Sequence, residues 1–199
     1  MRFIQTLLAV GLLTVSFFSD QALAFSQSSG AALGAGPALT EFLARNDGGL
    51  EDEDGDRPDW IEIHNVPGAG AVDLSGWALT DDSGDLALWV FGPGTVLPDG
   101  GYLVVFASDK DRRDPAGPLH TNFKLSGGGE YLALVNSTGS IVTEYAPEYP
   151  PQEEDVSYGL SFNPGPLAVE RLFTAPTPGG ANSVGAPPVW GVIHTPQQP

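Results

Sequence analysis

From residue 38 onward the apolar side chains arrive in short runs broken by Gly, Pro, Asn and Asp. Trp60-Ile61-Glu62-Ile63-His64 alternates with a period of two, placing Ile61 and Ile63 on one face and Glu62 and His64 on the other. Residues 77–80 repeat that period, and residues 88–91 follow it less cleanly. Residues 102–107 are the most apolar run and predict a central strand. Residues 39–44, 131–135, 141–145, 156–159 and 168–173 complete a set of nine short strands. Residues 136–140, which contain Gly139, predict a hairpin connection between two of them. No window carries a helical period. Short strands at this spacing, without helical crossovers, predict an all-β, antiparallel β-sandwich in which each sheet keeps one wet face.

The flanks differ from this body. Met1 and Arg2 open a positive start, residues 3–18 are almost unbroken apolar, and Ala22-Leu23-Ala24 forms a small-x-small site before Phe25. That is the layout of a secretory signal peptide cleaved near Ala24, and the run is shorter than the ~20 apolar residues that span a bilayer. Residues 25–37 predict a small-residue linker, 38–183 the sandwich domain, and 184–199 a second linker with the start of a further domain. In that tail, residues 189–194 alternate like a new strand without a local partner. Either it adds to the sandwich edge or it opens a domain whose remainder follows. An unpaired exposed strand favours the second reading.

Composition narrows the function classes. Gly and Pro make up 44 of 199 residues (26 and 18), which excludes a long-helix protein, while a 41% hydrophobic fraction supports a packed core. Eight bases stand against 25 acids, and the net charge of −17 argues against nucleic acid and anionic membrane surfaces as partners. Without cysteine there is no disulfide, thiolate zinc site or cysteine nucleophile. Removing residues 1–24 takes away one base, Arg2, and one acid, Asp20. The mature chain therefore keeps its acidity, and no predicted membrane span remains because no later apolar run approaches spanning length.

Five motifs in order resemble the lamin tail domain. They are Pro58-Asp59-Trp60-Ile61-Glu62-Ile63-His64-Asn65, then Val72-Asp73-Leu74-Ser75-Gly76-Trp77-Ala78-Leu79-Thr80-Asp81, then Leu97-Pro98-Asp99-Gly100-Gly101-Tyr102-Leu103-Val104-Val105. His120-Thr121-Asn122-Phe123-Lys124-Leu125 with Gly128-Gly129-Glu130 is the fourth, and Pro176-Thr177-Pro178-Gly179-Gly180-Ala181-Asn182 closes the series. The resemblance runs from about residue 38 to 182. It implies an immunoglobulin-like sandwich. Its bacterial members look like exported modules, often placed before other domains, including CotH-type spore-coat kinase domains. No heptad rod, basic nuclear patch or C-terminal prenylation Cys is present, and the family offers no catalytic residues to carry over.

The densest chemistry lies between Asn46 and Asp59, with seven acids (Asp47, Glu51, Asp52, Glu53, Asp54, Asp56, Asp59) and one base, Arg57. Asp52-x-Asp54-x-Asp56 has the alternate spacing that turns oxygens inward around a calcium ion (Ca²⁺), although Arg57 and Ile63 break the EF-hand pattern. Two readings stand. One is a solvated acidic loop. The other is a Ca²⁺ site with Asp52, Asp54 and Asp56 as ligands, closed by Asp59 or Glu62. Glu62 is also expected to pair across its strand with a base such as Arg45. His64, His120 and His194 lack zinc-ligand spacing, and no serine sits in a Gly-x-Ser-x-Gly elbow. Gly127-Gly128-Gly129 precedes a strand and reads as a turn. Asn136-Ser137-Thr138 matches a glycosylation sequon. Trp77 and Trp89 are expected in or beside the core. Tyr145, Tyr149 and Tyr158 are the candidates for an exposed binding strip. These features predict a secreted, non-catalytic module for interaction, adhesion or spacing on a bacterial cell exterior, with other domains or surface polymers as partners. The alternative is a carbohydrate-binding accessory of a larger exported enzyme or CotH-type kinase protein.

Overall fold

The computed structural model describes residues 33–162 and 167–188. The expected signal segment and the 189–194 strand lie outside the described residues. Twelve strands appear in chain order: β1 (Gly36–Leu43), β2 (Asp59–Val66), β3 (Val72–Asp73), β4 (Ala78–Thr80), β5 (Trp89–Val90), β6 (Val96–Leu97), β7 (Tyr102–Ala107), β8 (Leu119–His120), β9 (Leu132–Val135), β10 (Ile141–Tyr145), β11 (Ser157–Ser161) and β12 (Val169–Phe173). Each of the nine expected runs forms a strand. The three additions, β3, β6 and β8, are two residues long, too short for alternation to show.

A six-stranded sheet runs β12-β11-β1-β2-β7-β8, and a four-stranded sheet runs β10-β9-β4-β5. Among the described residues every strand pair is antiparallel except β7 with β8, which run parallel in register Val105↔Leu119. The inner faces meet in one core. Leu39, Phe42, Ile61, Ile63, Val105 and Tyr158 come from the large sheet, and Leu79, Trp89, Leu132, Leu134 and Tyr145 from the small one. This is an all-β, immunoglobulin-like sandwich. Burying these side chains supplies about 1.5–3 kcal/mol each, which is the main drive in a chain that has no cross-link.

The outer face of the large sheet departs from the expectation of one wet face. Leu43, Trp60 and Phe106 form a second apolar cluster there, and Glu62 and Glu41 are fully buried. The cover is local sequence. Leu50 of the acidic loop packs on one end of the cluster. The segment following β12 folds back, so that Thr174, Pro176 and Pro178 line a cavity of about 360 Å³ together with Leu43 and Trp60. We call residues 174–182 the strap.

A bulge in β1 decides which acids meet. Leu39 pairs with Ile63 and Glu41 with Glu62, so Thr40 is the extra residue. Strict alternation after Leu39 would turn Glu41 into the core. The bulge rotates it to the outer face beside Glu62 and returns Phe42 to the inside. Opposite Glu41, β11 offers Gly159, where a Cβ would lie 2.1 Å from the Thr40 carbonyl oxygen. Only glycine permits that approach.

Candidate functional site

The acidic loop is built around Asn46 and Asp52. Asn46 donates its side-chain amide to the Leu50 and Pro58 carbonyls at 2.7 and 2.8 Å, and Asp155 accepts the Asp47 and Gly48 amides at 2.9 Å. Within the turn, Asp52 Oδ1 accepts the amides of Asp54 and Asp56 at 3.0 Å each. The Asp52 N–H reaches the Asp56 carbonyl at 2.8 Å. Gly55 takes φ of 81°, a left-handed conformation that suits glycine. These bonds aim the remaining oxygens of Asp52, Asp54 and Asp56 at one point, with ligand atoms of the three within 4.8 Å of one another.

A cation already stands at that point. Lys110 Nζ lies 2.5 Å from Asp52, 2.7 Å from Asp54 and 2.8 Å from Asp56. Lys110 comes from the irregular turn after β7, where Asp109 and Asp111 take positive φ of 66° and 51°. Two residues on, Arg112 bonds Asp54 at 2.6 Å and also bonds Glu53. His120, stacked on Phe106 at 5.1 Å, completes the set from β8. Its Nε2 lies 2.9 Å from Glu53 Oε2 and its Nδ1 2.8 Å from the Ser108 hydroxyl.

The electrostatics follow from these partners. Hydrogen bonds from Lys110 and Arg112 hold the Asp54 carboxyl down at about 2. Burial works to raise Asp52 and Glu53. Asp52 is nevertheless net lowered by Lys110 and the Asp56 and Asp54 amides, and Glu53 by its own amide, His120 and Arg112. Lys110 is driven above the ordinary lysine range by its three carboxylate partners.

The two proposed closing ligands are placed elsewhere. Asp59 accepts the Asn46 amide and is raised to about 6 by burial. It lines a cavity of about 410 Å³ with Asp56, Arg57, Ser108, Lys110 and Lys124. Glu62 lies under the strap, accepting the Thr40 hydroxyl at 2.7 Å and the Gly179 amide at 2.8 Å. It does not meet Arg45, which pairs at 3.7 Å with Glu154. The structure thus gathers Asp52, Asp54 and Asp56 and leaves Asp59 and Glu62 out of the cluster.

Ser108, His120 and Glu53 form a hydrogen-bonded series of the kind used in acyl transfer, which no sequence motif signals. Its surroundings are occupied. The Lys110 amide donates to the Ser108 hydroxyl at 3.2 Å and the Asp109 amide to the Phe123 carbonyl at 3.2 Å. Neither the Asp109 nor the Lys110 amide is free to hold a developing oxyanion.

The chain matches the family model described as Lamin Tail Domain over residues 41–148. The chain belongs to the lamin tail domain family. No curated protein matches it. The matched span of this lamin tail domain holds both the acidic loop and its basic partners, whereas β11 and β12, which complete the large sheet, and the strap that covers its outer face lie beyond it. Among the described residues no helix is long and apolar enough to cross a membrane.

Lys110 and Arg112 are hard to assign from the sequence because they sit 54–59 residues from the acids, and His120 sits 67 residues from Glu53. A usable signal was present: Lys110, Arg112 and Arg113 are three of only eight bases, concentrated in four positions. The expected tyrosine strip is corrected. Tyr145, Tyr149 and Tyr158 are all buried, packed edge-on or tilted around Phe42. Tyr149 bonds inward to the Ser126 carbonyl and Glu130. Trp89 is in the core and Trp77 packs against it, as expected.

Proposed function

We propose that this lamin tail domain is a secreted, non-catalytic interaction and spacer module of a larger extracellular protein, engaging other domains or surface polymers. The observation that carries the reading is the fate of its reactive groups. The carboxylates most concentrated in the sequence are consumed by Lys110, Arg112 and His120 of the same fold. The cluster ties the β1–β2 loop to the turn after β7 and to β8, which makes it a brace between loops. Ser108, the one serine in series with a histidine and an acid among the described residues, has the following Asp109 and Lys110 amides committed. Export is supported by the leader-like composition of residues 1–24.

The test is expression of the full chain with its own N-terminus in a secreting bacterial host. The reading expects an exported product beginning at Phe25 that is not labelled at Ser108 by a fluorophosphonate probe. Retention of the product in the cytoplasm, or stoichiometric labelling of Ser108, contradicts it.

A further inference from the structure

The outer face of the large sheet holds a second acidic group of a different kind. Glu41 and Glu62 stand opposite each other on β1 and β2, both fully buried. Every partner they find is a neutral donor. Glu41 accepts the Ser157 hydroxyl, and from the strap it accepts the Thr177 amide at 3.0 Å and the Thr177 hydroxyl at 2.8 Å. Glu62 accepts the Thr40 hydroxyl and the Gly179 amide. Gly179 takes φ of 81°, which a side chain would oppose. Asn182 fastens the far end of the strap by donating to the Thr40 and Leu160 carbonyls at 2.9 Å each.

We propose that Glu41 and Glu62 form a proton-dependent latch that holds residues 174–182 on the large sheet, and that the strap lifts as pH rises past neutrality. Two adjacent buried carboxyls cannot both ionise cheaply without a cation, so the closed latch retains a proton that the open one releases. The ionisable groups around the pair supply none of the missing charge. Tyr102 of β7 and Tyr145 of β10 are neutral phenols, both raised by burial and then by the carboxylates. His64, further along β2, is lowered by burial, against the pull of the Gly101 carbonyl, and its Nδ1 is engaged by that carbonyl at 3.1 Å. Arg171 of β12 shares the row through Gly159 but donates to the Glu170 carbonyl. The strap residues Thr177, Gly179 and Asn182 carry no charge.

The directions agree with the geometry. Burial raises Glu41, and raises Glu62 to about 7 against an ordinary 4.5, with the neighbouring Glu41 adding to the rise. A carboxyl raised in the closed state favours closure fully below about 4.5, and that advantage is lost as pH climbs through about 7. Lifting the strap would uncover Trp60 and Leu43, which line the cavity beneath Pro176 and Pro178. An apolar contact surface would then open in mildly alkaline surroundings.

The test is hydrogen exchange of the Thr177 and Gly179 amides in the full chain, corrected for the intrinsic pH dependence of exchange. Between about pH 5.5 and about pH 8.5 their protection should fall roughly 10–30-fold, while core amides such as Ile63 and Leu134 hold theirs. In Glu62→Gln, where the Thr40 hydroxyl can reverse its bond, the fall should shrink below about threefold. Equal protection of the strap amides at both pH values overturns the latch. So does a loss shared equally by the core amides, which needs no variant to detect. An undiminished fall in Glu62→Gln assigns the response to another acid and overturns it as well.

Discussion

The two acidic groups of this domain are chemically alike and electrostatically opposite. In the loop, Asp52, Glu53, Asp54 and Asp56 crowd into five positions, yet Asp52, Glu53 and Asp54 sit below their ordinary pKa because Lys110, Arg112 and His120 come to meet them. Under the strap, only two acids meet, and both are raised because burial removes water and no cation replaces it. Local density of acids along the chain therefore says little about their electrostatic state. What decides it is whether a distant segment delivers a base or a cover.

The largest expected effect breaks the buried side of this comparison. Gly159→Ala places a Cβ 2.1 Å from the Thr40 carbonyl oxygen and 2.7 Å from Glu41 Cα. Both are backbone atoms, so β11 must move away from β1. The expected loss is about 3 kcal/mol in denaturant unfolding, with the strap loosened alongside. A loss below about 0.5 kcal/mol would show that the close approach is not needed.

Next comes the loop. Lys110→Met removes the shared cation and leaves Asp52, whose side chain is fully covered, facing two like charges. About 1–3 kcal/mol should be lost at neutral pH. The loss should diminish below the ordinary aspartate range, since carboxylates held low by a partner contribute stability above about 3.8 that disappears as pH falls through about 2. A loss that persists undiminished under acid would mean that Lys110 contributes packing rather than charge.

Glu62→Gln should act in the opposite sense. Above about pH 8 it removes a buried anion and should stabilise the chain by about 1 kcal/mol, with no gain below about pH 4.5. Destabilisation at every pH would show that the carboxylate itself, and not its protonated form, holds the strap. The smallest effect is expected for Arg112→Ala, whose partners are solvent-exposed. Its destabilisation should shrink when salt is raised to about 1 M, whereas the Glu62→Gln difference should not respond.

Much of the fold was legible because period-two alternation fixes both a strand and its inner face. Ile61 and Ile63 face the core, and Leu132 and Leu134 answer from the other sheet. What the same alternation misjudged was the other face. Glu62 and His64 look solvent-facing from sequence, but the cover arrives 117 residues later with Gly179. Pro176 to Asn182 is the last motif of the resemblance, although nothing local says what it covers. The bulge at Thr40 was equally hidden, since it appears only as a register shift between two strands. In the loop, the spacing of Asp52, Asp54 and Asp56 correctly announced convergence. The cation is Lys110, one of three bases gathered at 110–113, and its acidic target shows only when the turn after β7 brings it across.

The central claim is that a lysine of the fold fills the position a metal would take among Asp52, Asp54 and Asp56. Calorimetric titration of the full chain with millimolar Ca²⁺, paired with Tm measured with and without the ion, tests it most directly. The wild-type chain should give no saturable heat and no shift in Tm, while Lys110→Met should gain both. A saturable, stabilising Ca²⁺ response in the wild-type chain that is lost in Asp54→Asn would contradict the claim and restore the loop as a metal site.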